Sequence, residues 1–244
     1  MRPVQRNTSP FLDDFDNYKG AKSYLVARIG SYCSYCERYV CTMLAVEHIQ
    51  PKNLPAYSNL IGRWDNFFLA CVNCNSCKTD KDIVLADVLL PDRDNTFMAF
   101  NYLPDGSVTP APHLNDNVKR MAIRILEVTG LDKQIGTTQD ENGKLVPLDS
   151  VSQRMQAWLN AESSLEDLQT SPANTALRSQ IVRNATATGF FSIWMTVFAL
   201  DVDMRNRLID AFAGTRGSGC FDQITTLPVS PAPNPDRLSQ GGKI

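Results

Sequence analysis

The chain has 244 residues, 43% of them hydrophobic and 20% charged, and a formal net charge of −2. It is long enough to bury a core as one domain or two small ones, and too close to neutral to coat nucleic acid by bulk attraction, although a few placed cations suffice to position phosphates. The longest apolar run, Gly189 to Leu200, is interrupted by Ser192 and Thr196 and falls short of the about 20 residues that cross a bilayer; Met1 to Pro10 has Arg2 and Arg6 but no apolar signal core, so a cytoplasmic protein without a membrane partner is expected.

Residues 1–14, with Pro3, Asn7 and Pro10, read as a flexible arm. From Phe15 to Ile29, Tyr18, Ala21, Tyr24, Leu25 and Arg28 recur at helical spacing, and Gly30 supplies the stop. Cys33-Ser34-Tyr35-Cys36 then forms a turn that aims two sulfurs at one point, and Cys71-Val72-Asn73-Cys74 repeats it. The seven cysteines are odd in number and six lie between Cys33 and Cys77, which favours metal ligands over disulfides in a reducing compartment. Four thiolates from two such turns make a tetrahedral zinc site, worth roughly 10–16 kcal/mol in small zinc peptides. Cys74 and Cys77 offer a competing Cys-x-x-Cys step. Cys71 with Cys74 is preferred, because Cys77 then falls inside the following helix. A redox reading of the pairs lacks its strand-turn-helix context. Between the knuckles, Leu44 to Ile49 reads as a short strand with Glu47 and His48 on opposite faces or at its frayed end. Pro51 and Pro55 force a loop, Trp64 to Ala70 is the next ordered piece, and a helix follows from about Cys74 to Lys81.

Cys33, Cys36, Glu47-His48, Asn66, Cys71, Cys74-Asn75 and Lys78 resemble, in order, the pattern of the HNH endonucleases with a zinc-stapled treble-clef, or ββα-metal, core. The acidic position is Glu rather than the commoner Asp, and the last position is Asn rather than His. The segments Ile29 to Arg38 and Val46 to Lys52 further resemble the HNH subunits of two-gene anti-phage systems of the Septu and retron-associated kind. The resemblance implies an α+β fold: a small nuclease core within residues 15–115, with flanking helix and hairpin, and a mainly helical region over 116–226.

Beyond the core, a Pro/Asp/Asn-rich connector runs from Leu90 to Thr96. A hairpin is expected over Thr96 to Thr109, turning at Asp105-Gly106 and ended by Pro110 and Pro112. From Asn117 to Thr129 an amphipathic helix buries Val118, Met121, Ala122, Ile125 and Leu126 and leaves Lys119, Arg120 and Arg124 outside. A loop with Asn142-Gly143 comes next. Helices are expected over Ser150 to Leu168 and Pro172 to Thr188. A buried segment, Gly189 to Leu200, is read as helical by continuity with Asp201 to Phe212, where Asp201 and Asp203 favour an N-terminus. Residues 227–244, rich in Pro, Ser, Asn and Gly, read as a disordered tail.

Phosphodiester hydrolysis requires an activated water, a cation on the phosphate and stabilisation of the leaving oxygen. His48 titrates in the range of a general base near pH 7, and Glu47 and Asn75 are hard oxygen donors suited to Mg²⁺ or Mn²⁺. The resemblance assigns those roles, adds Asn66 as the residue that pins the loop orienting His48, and gives Zn²⁺ to the four cysteines. Lys52 and Lys78 are candidate phosphate contacts on DNA. The acidic C-terminal part points to a partner, an ATPase subunit of a defence complex, that supplies affinity for DNA. Three bland readings compete: Asn75 as a helix cap, Lys52 and Lys78 as solvated cations, and the whole stretch as a zinc ribbon that binds nucleic acid and cuts nothing. A nuclease acting on RNA such as tRNA fits the same residues.

Overall fold

In the computed structural model, described for residues 1–133, 137–139, 145–147 and 150–244, small antiparallel sheets are set among many helices, a mixed α+β architecture. The expected loop at Asn142-Gly143 lies outside the described residues. Helix α1 (Ala21–Ile29) follows a 3-10 turn, Tyr18–Gly20, and ends at Gly30 with φ +77°, a left-handed conformation that glycine tolerates. Strands β1 (Ala45–His48) and β2 (Phe67–Ala70) pair antiparallel in the register Ala45↔Ala70, Val46↔Leu69, Glu47↔Phe68 and His48↔Phe67. Cys71 leads straight into α2 (Val72–Lys78), which completes a ββα unit.

Strand β2 is buried on both faces, and its alternation assigns each face to its own core. Phe67 and Leu69 pack with Val46, Leu44, Leu25 and Ile29, which seats α1 against the hairpin. Phe68 and Ala70 pack with Cys33, Cys36, Ile49 and the apolar stripe of α4 (Asp116–Thr129). That stripe follows the sequence expectation, with Asn115 capping the helix through Val118 N–H at 3.0 Å and Gly130 in the left-handed region at its end. A single helical turn, α3 (Thr96–Ala99), stands where the expected hairpin was to begin, and the paired part is shorter: β3 (Phe100–Tyr102) with β4 (Val108–Pro110). Strands β5 (Thr137–Gln139) and β6 (Leu145–Pro147) form another two-stranded pair.

The helical part comprises α5 (Ser150–Thr170), α6 (Thr175–Thr188), α7 (Phe191–Val197) and α8 (Val202–Ala211). Continuity from Gly189 to Phe212 does not hold. The chain breaks between α7 and α8, where Asp201 leaves helical geometry and accepts a hydrogen bond from Met204 N–H at 2.9 Å. At the other end of α7, Gly189 (φ +82°) lets the first knuckle lie directly on the end of α6. A Cβ there would sit 2.4 Å from the Glu37 carbonyl.

Both chain ends depart from expectation. Met1, Val4 and Arg6, inside the expected flexible arm, are buried. Arg6 donates to the Trp64 and Phe67 carbonyls and forms an ion pair with Asp92, which Arg93 also holds at 2.8 Å. The tail 227–244 is likewise packed: Ala232 and Ile244 are buried, and Lys243 reaches Asp94 at 3.3 Å. Each end has few apolar residues, and specific polar partners far along the chain hold it instead. A composition rule weighs none of these contacts.

Candidate active site

The two knuckles meet. The sulfurs of Cys33, Cys36, Cys71 and Cys74 all lie within 4.8 Å of one another, and all four residues are buried. Zn–S bonds of about 2.3 Å in a tetrahedron place sulfurs about 3.8 Å apart, and Cys36 Sγ to Cys71 Sγ is 3.7 Å. The donor set therefore fits Zn²⁺. Burial pushes the Cys33 thiol well up, and the contacts with the Cys33, Cys36 and Cys71 sulfurs, helped by burial, do the same for Cys74; a bound dication reverses that direction. Although burial alone would lower Arg38, the Cys36, Cys71 and Cys74 sulfurs hold its guanidinium above its ordinary value, the setting of a counter-charge to a thiolate cluster. Cys77 stands outside the cluster, on α2 with its sulfur 3.1 Å from Lys133 Nζ, which removes the competing ligand choice.

The cluster fixes the start of α2 beside β1, and this brings Asn75 to Glu47 and His48. All three line one cleft, which has an arm of about 420 Å³ and another of about 370 Å³. Glu47 and His48 do project to opposite faces of β1. They share the cleft because β1 pairs only with β2 among the described residues, so its other edge is open.

His48 is packed on two rings, Phe67 at 5.3 Å and Tyr18 at 4.7 Å between centroids, both edge to face. Its Nε2 lies 3.0 Å from the Ile61 carbonyl oxygen. A carbonyl can only accept, so Nε2 carries the hydrogen and Nδ1 keeps its lone pair. Burial lowers the His48 pKa, which outweighs the opposing Ile61 contact, and the imidazole is held in its basic form. Asn66 is buried and clamps the chain after β1. Its Oδ1 accepts from Gln50 N–H at 2.8 Å, and its Nδ2 donates to the Gln50 and Leu60 carbonyls at 3.0 and 3.3 Å. These partners join both flanks of the loop that carries Ile61.

Glu47 is buried, and burial raises its carboxyl despite Lys78. Oε1 meets Lys78 Nζ at 2.8 Å; Oε2 has no protein hydrogen bond among the described residues. The Asn75 side chain is in the same position, half-buried and without a described hydrogen-bond partner, so it caps nothing. One carboxylate oxygen and one amide in a polar cleft fit a Mg²⁺ or Mn²⁺ ion.

Lys78 requires correction. It was a candidate phosphate contact and is instead 1% exposed, its ammonium spent on Glu47 and on the His48 carbonyl at 2.7 Å. Lys52 does line both arms, half-buried, with Nζ donating to Tyr18 Oη at 2.9 Å. His113 is exposed and away from the cleft.

Residues 33–81 match the family model of the HNH endonucleases. The matched HNH segment runs from the first knuckle past the end of α2, and it carries the cysteine cluster. It supports a nuclease or nucleic-acid-binding role. No curated protein matches the chain.

The HNH segment leaves out part of the site. Tyr18, Lys19 and Lys22 line the second arm of the cleft. Helical spacing alone marks Tyr18 as one of the recurring residues of its segment and nothing more. The neglected signal was an aromatic residue interleaved with lysines, the composition of a nucleic-acid contact.

Proposed function

We propose that the chain is a metal-dependent DNA endonuclease of the HNH kind. One observation carries this reading: His48, with Nδ1 free to accept a proton, shares a cleft with Glu47 and Asn75, and Asn66 clamps the loop that sets its tautomer. A zinc ribbon that only binds has no need of a clamped imidazole facing a cleft. Glu47 and Asn75 would hold a Mg²⁺ or Mn²⁺ ion, which when bound would supply positive charge to the scissile phosphate. His48 Nδ1 takes a proton from the attacking water as the water oxygen bonds to phosphorus and the phosphorus–oxygen ester bond breaks, and the leaving alkoxide takes a proton from solvent. Lys78 holds Glu47 in place from behind.

The test is plasmid nicking with Mg²⁺ or Mn²⁺ by wild type and His48→Ala. Wild type should convert supercoiled to nicked circle and His48→Ala should lose about 10²-fold or more in rate; equal cutting would overturn the assignment. A parallel assay on RNA decides the substrate, and cleavage of RNA alone would replace DNA with RNA. Biologically, the resemblance at Ile29 to Arg38 and Val46 to Lys52 supports an effector role in anti-phage defence beside an ATPase subunit. Co-purification with the product of a neighbouring gene is the test, and full activity of the isolated chain without it would count against the partner.

A further inference from the structure

The two arms of the cleft meet at Glu47, His48, Lys52 and Asn75, and they differ in chemistry. One runs past Met43, Pro51, Val72 and Asp80. The other runs past Tyr18, Lys19, Lys22 and Leu44, and Glu47 at the junction is its sole carboxylate. Lys19 and Lys22 are exposed, and neither forms an ion pair among the described residues. An exposed lysine is ordinarily a solvated cation. These two flank a groove that ends at a candidate general base, and the residue beside them touches that base. Tyr18 packs edge to face on His48 at 4.7 Å, its hydroxyl accepts from Lys52 at 2.9 Å, and Lys52 Nζ lies 4.5 Å from the Tyr18 ring centroid. The turn Tyr18–Gly20 and the first turn of α1 are built into the site by α1 packing on β1 and β2. Tyr18, Lys19 and Lys22 themselves lie outside residues 33–81.

Resting on the nuclease reading, we propose that the segment Tyr18 to Lys22 is the backbone rail of the active site: Lys19 and Lys22 bind DNA phosphates on one side of the scissile bond, and Tyr18 positions His48 and Lys52. The charge asymmetry gives the cleft a direction. The strand lies along the lysine arm, its reactive phosphate falls at the junction, and the Met43–Val72 arm takes the nucleotides on the far side of that phosphate. Tyr18 is a positioning residue, since it acts through His48.

The experiment has a binding half and a turnover half. In the first, His48→Ala protein, expected to cut at least about 10²-fold more slowly, is titrated without Mg²⁺ or Mn²⁺ against a short fluorescein-labelled DNA duplex across a salt series, with and without Lys19→Gln/Lys22→Gln. Each phosphate contact contributes about −0.9 to the slope of log K against log salt, so the double variant should weaken binding about 10-fold or more and flatten the slope by about 2. In the second half, Lys19→Gln/Lys22→Gln should raise KM with kcat little changed. Tyr18→Ala should lower kcat about 10-fold at unchanged KM and unchanged thermal midpoint, and Tyr18→Phe, which keeps the ring, should restore it. An unchanged slope and KM would overturn the rail, and a Tyr18→Ala loss that tracks a lowered midpoint would overturn the positioning role. If wild type cuts DNA while the lysine variants behave as wild type, only the rail fails. If wild type cuts nothing while the salt slope still depends on the lysines, the rail stands and the nuclease reading fails.

Discussion

Replacing Lys78 by Met keeps the length of the side chain and removes the ammonium. A phosphate-binding lysine lost in this way raises KM, flattens the salt dependence of binding and leaves stability alone. A buried partner behaves otherwise. Lys78 is 1% exposed and Glu47 6%, and the substitution strands a carboxylate that sits 2.8 Å from Nζ together with the His48 carbonyl at 2.7 Å. Breaking a buried pair from one side costs about 3–5 kcal/mol. Glu47 borders an open cleft, so the lower end applies, about 3 kcal/mol, a loss of about two orders of magnitude in the folding constant. Urea unfolding should show a midpoint lowered by about 1 M at an m-value of roughly 3 kcal/mol/M. Glu47→Gln/Lys78→Met should recover part of the loss, since no unpaired charge remains. The decisive result is the variant's unfolding midpoint. A midpoint equal to wild type, with a raised KM and a flattened salt slope, would place the ammonium on the substrate and refute the burial argument.

Chelation of Zn²⁺ should unfold the ββα unit, because the sulfurs converge from both knuckles and binding in such sites is worth roughly 10–16 kcal/mol; loss of far-UV circular dichroism on adding a strong chelator, restored by Zn²⁺, is expected, and retention of the signal would count against a structural metal. Asn66→Ala removes three hydrogen bonds from a buried clamp and should cost about 2–4 kcal/mol together with most of the nicking activity; full activity would separate the clamp from catalysis. Although burial raises Asp92, Arg93 and Arg6 outweigh it and hold the carboxyl below its ordinary 3.8. Its stabilisation is thus complete above that pH and lost as pH falls through the folded value. Asp92→Asn should lower stability at neutral pH by about 3–5 kcal/mol and shrink the acid-induced loss measured by urea unfolding between neutrality and low pH; an unchanged acid limb would exclude Asp92 from the transition.

The cysteine cluster was legible in the sequence because it is written in short-range chemistry, whereas the role of Asn66, whose partner Gln50 lies 16 residues away, came only with the family resemblance. A Cys-x-x-Cys turn needs nothing beyond itself to aim two sulfurs, and an acidic residue before a histidine needs only a strand to place both at an open edge. Lys78 misled for the opposite reason. One turn beyond Asn75 it has the spacing of a neighbour on the same helix face, yet its partners, Glu47 and the His48 carbonyl, come from a strand about 30 residues away. Arg6 and Asp92 are farther apart still, 86 residues, and no composition rule for a Pro-containing arm anticipates that a guanidinium will cap the Trp64 and Phe67 carbonyls. The break between α7 and α8 could have been read: Asp201 was recognised as a cap, and a cap begins a helix. The apolar run before it has neither Pro nor a Gly after Gly189 and invited a continuous helix.

The HNH segment does not hold its own geometry. Glu37, directly after Cys36, takes a left-handed conformation with φ +65° and is buried. Its carboxylate accepts from the Ser192 backbone N–H at 2.7 Å and the Ser192 hydroxyl at 2.6 Å at the start of α7, and from the Tyr102 hydroxyl at 3.1 Å on β3. The Glu37 carbonyl accepts from Phe190 N–H at 3.0 Å. Arg6, from the first residues, caps the carbonyls at the start of β2, and Tyr18 closes on His48 from ahead of α1. The first knuckle, the second strand and the candidate base are each set by a residue or contact outside the ββα unit. Hydrogen bonds to a buried charge are worth about 1.5–3 kcal/mol each, so a shift of α7 acts on the zinc knuckle directly through Glu37. The same contacts tie the helical region to the first knuckle, and the four converging sulfurs tie that knuckle to the start of α2, which carries Asn75.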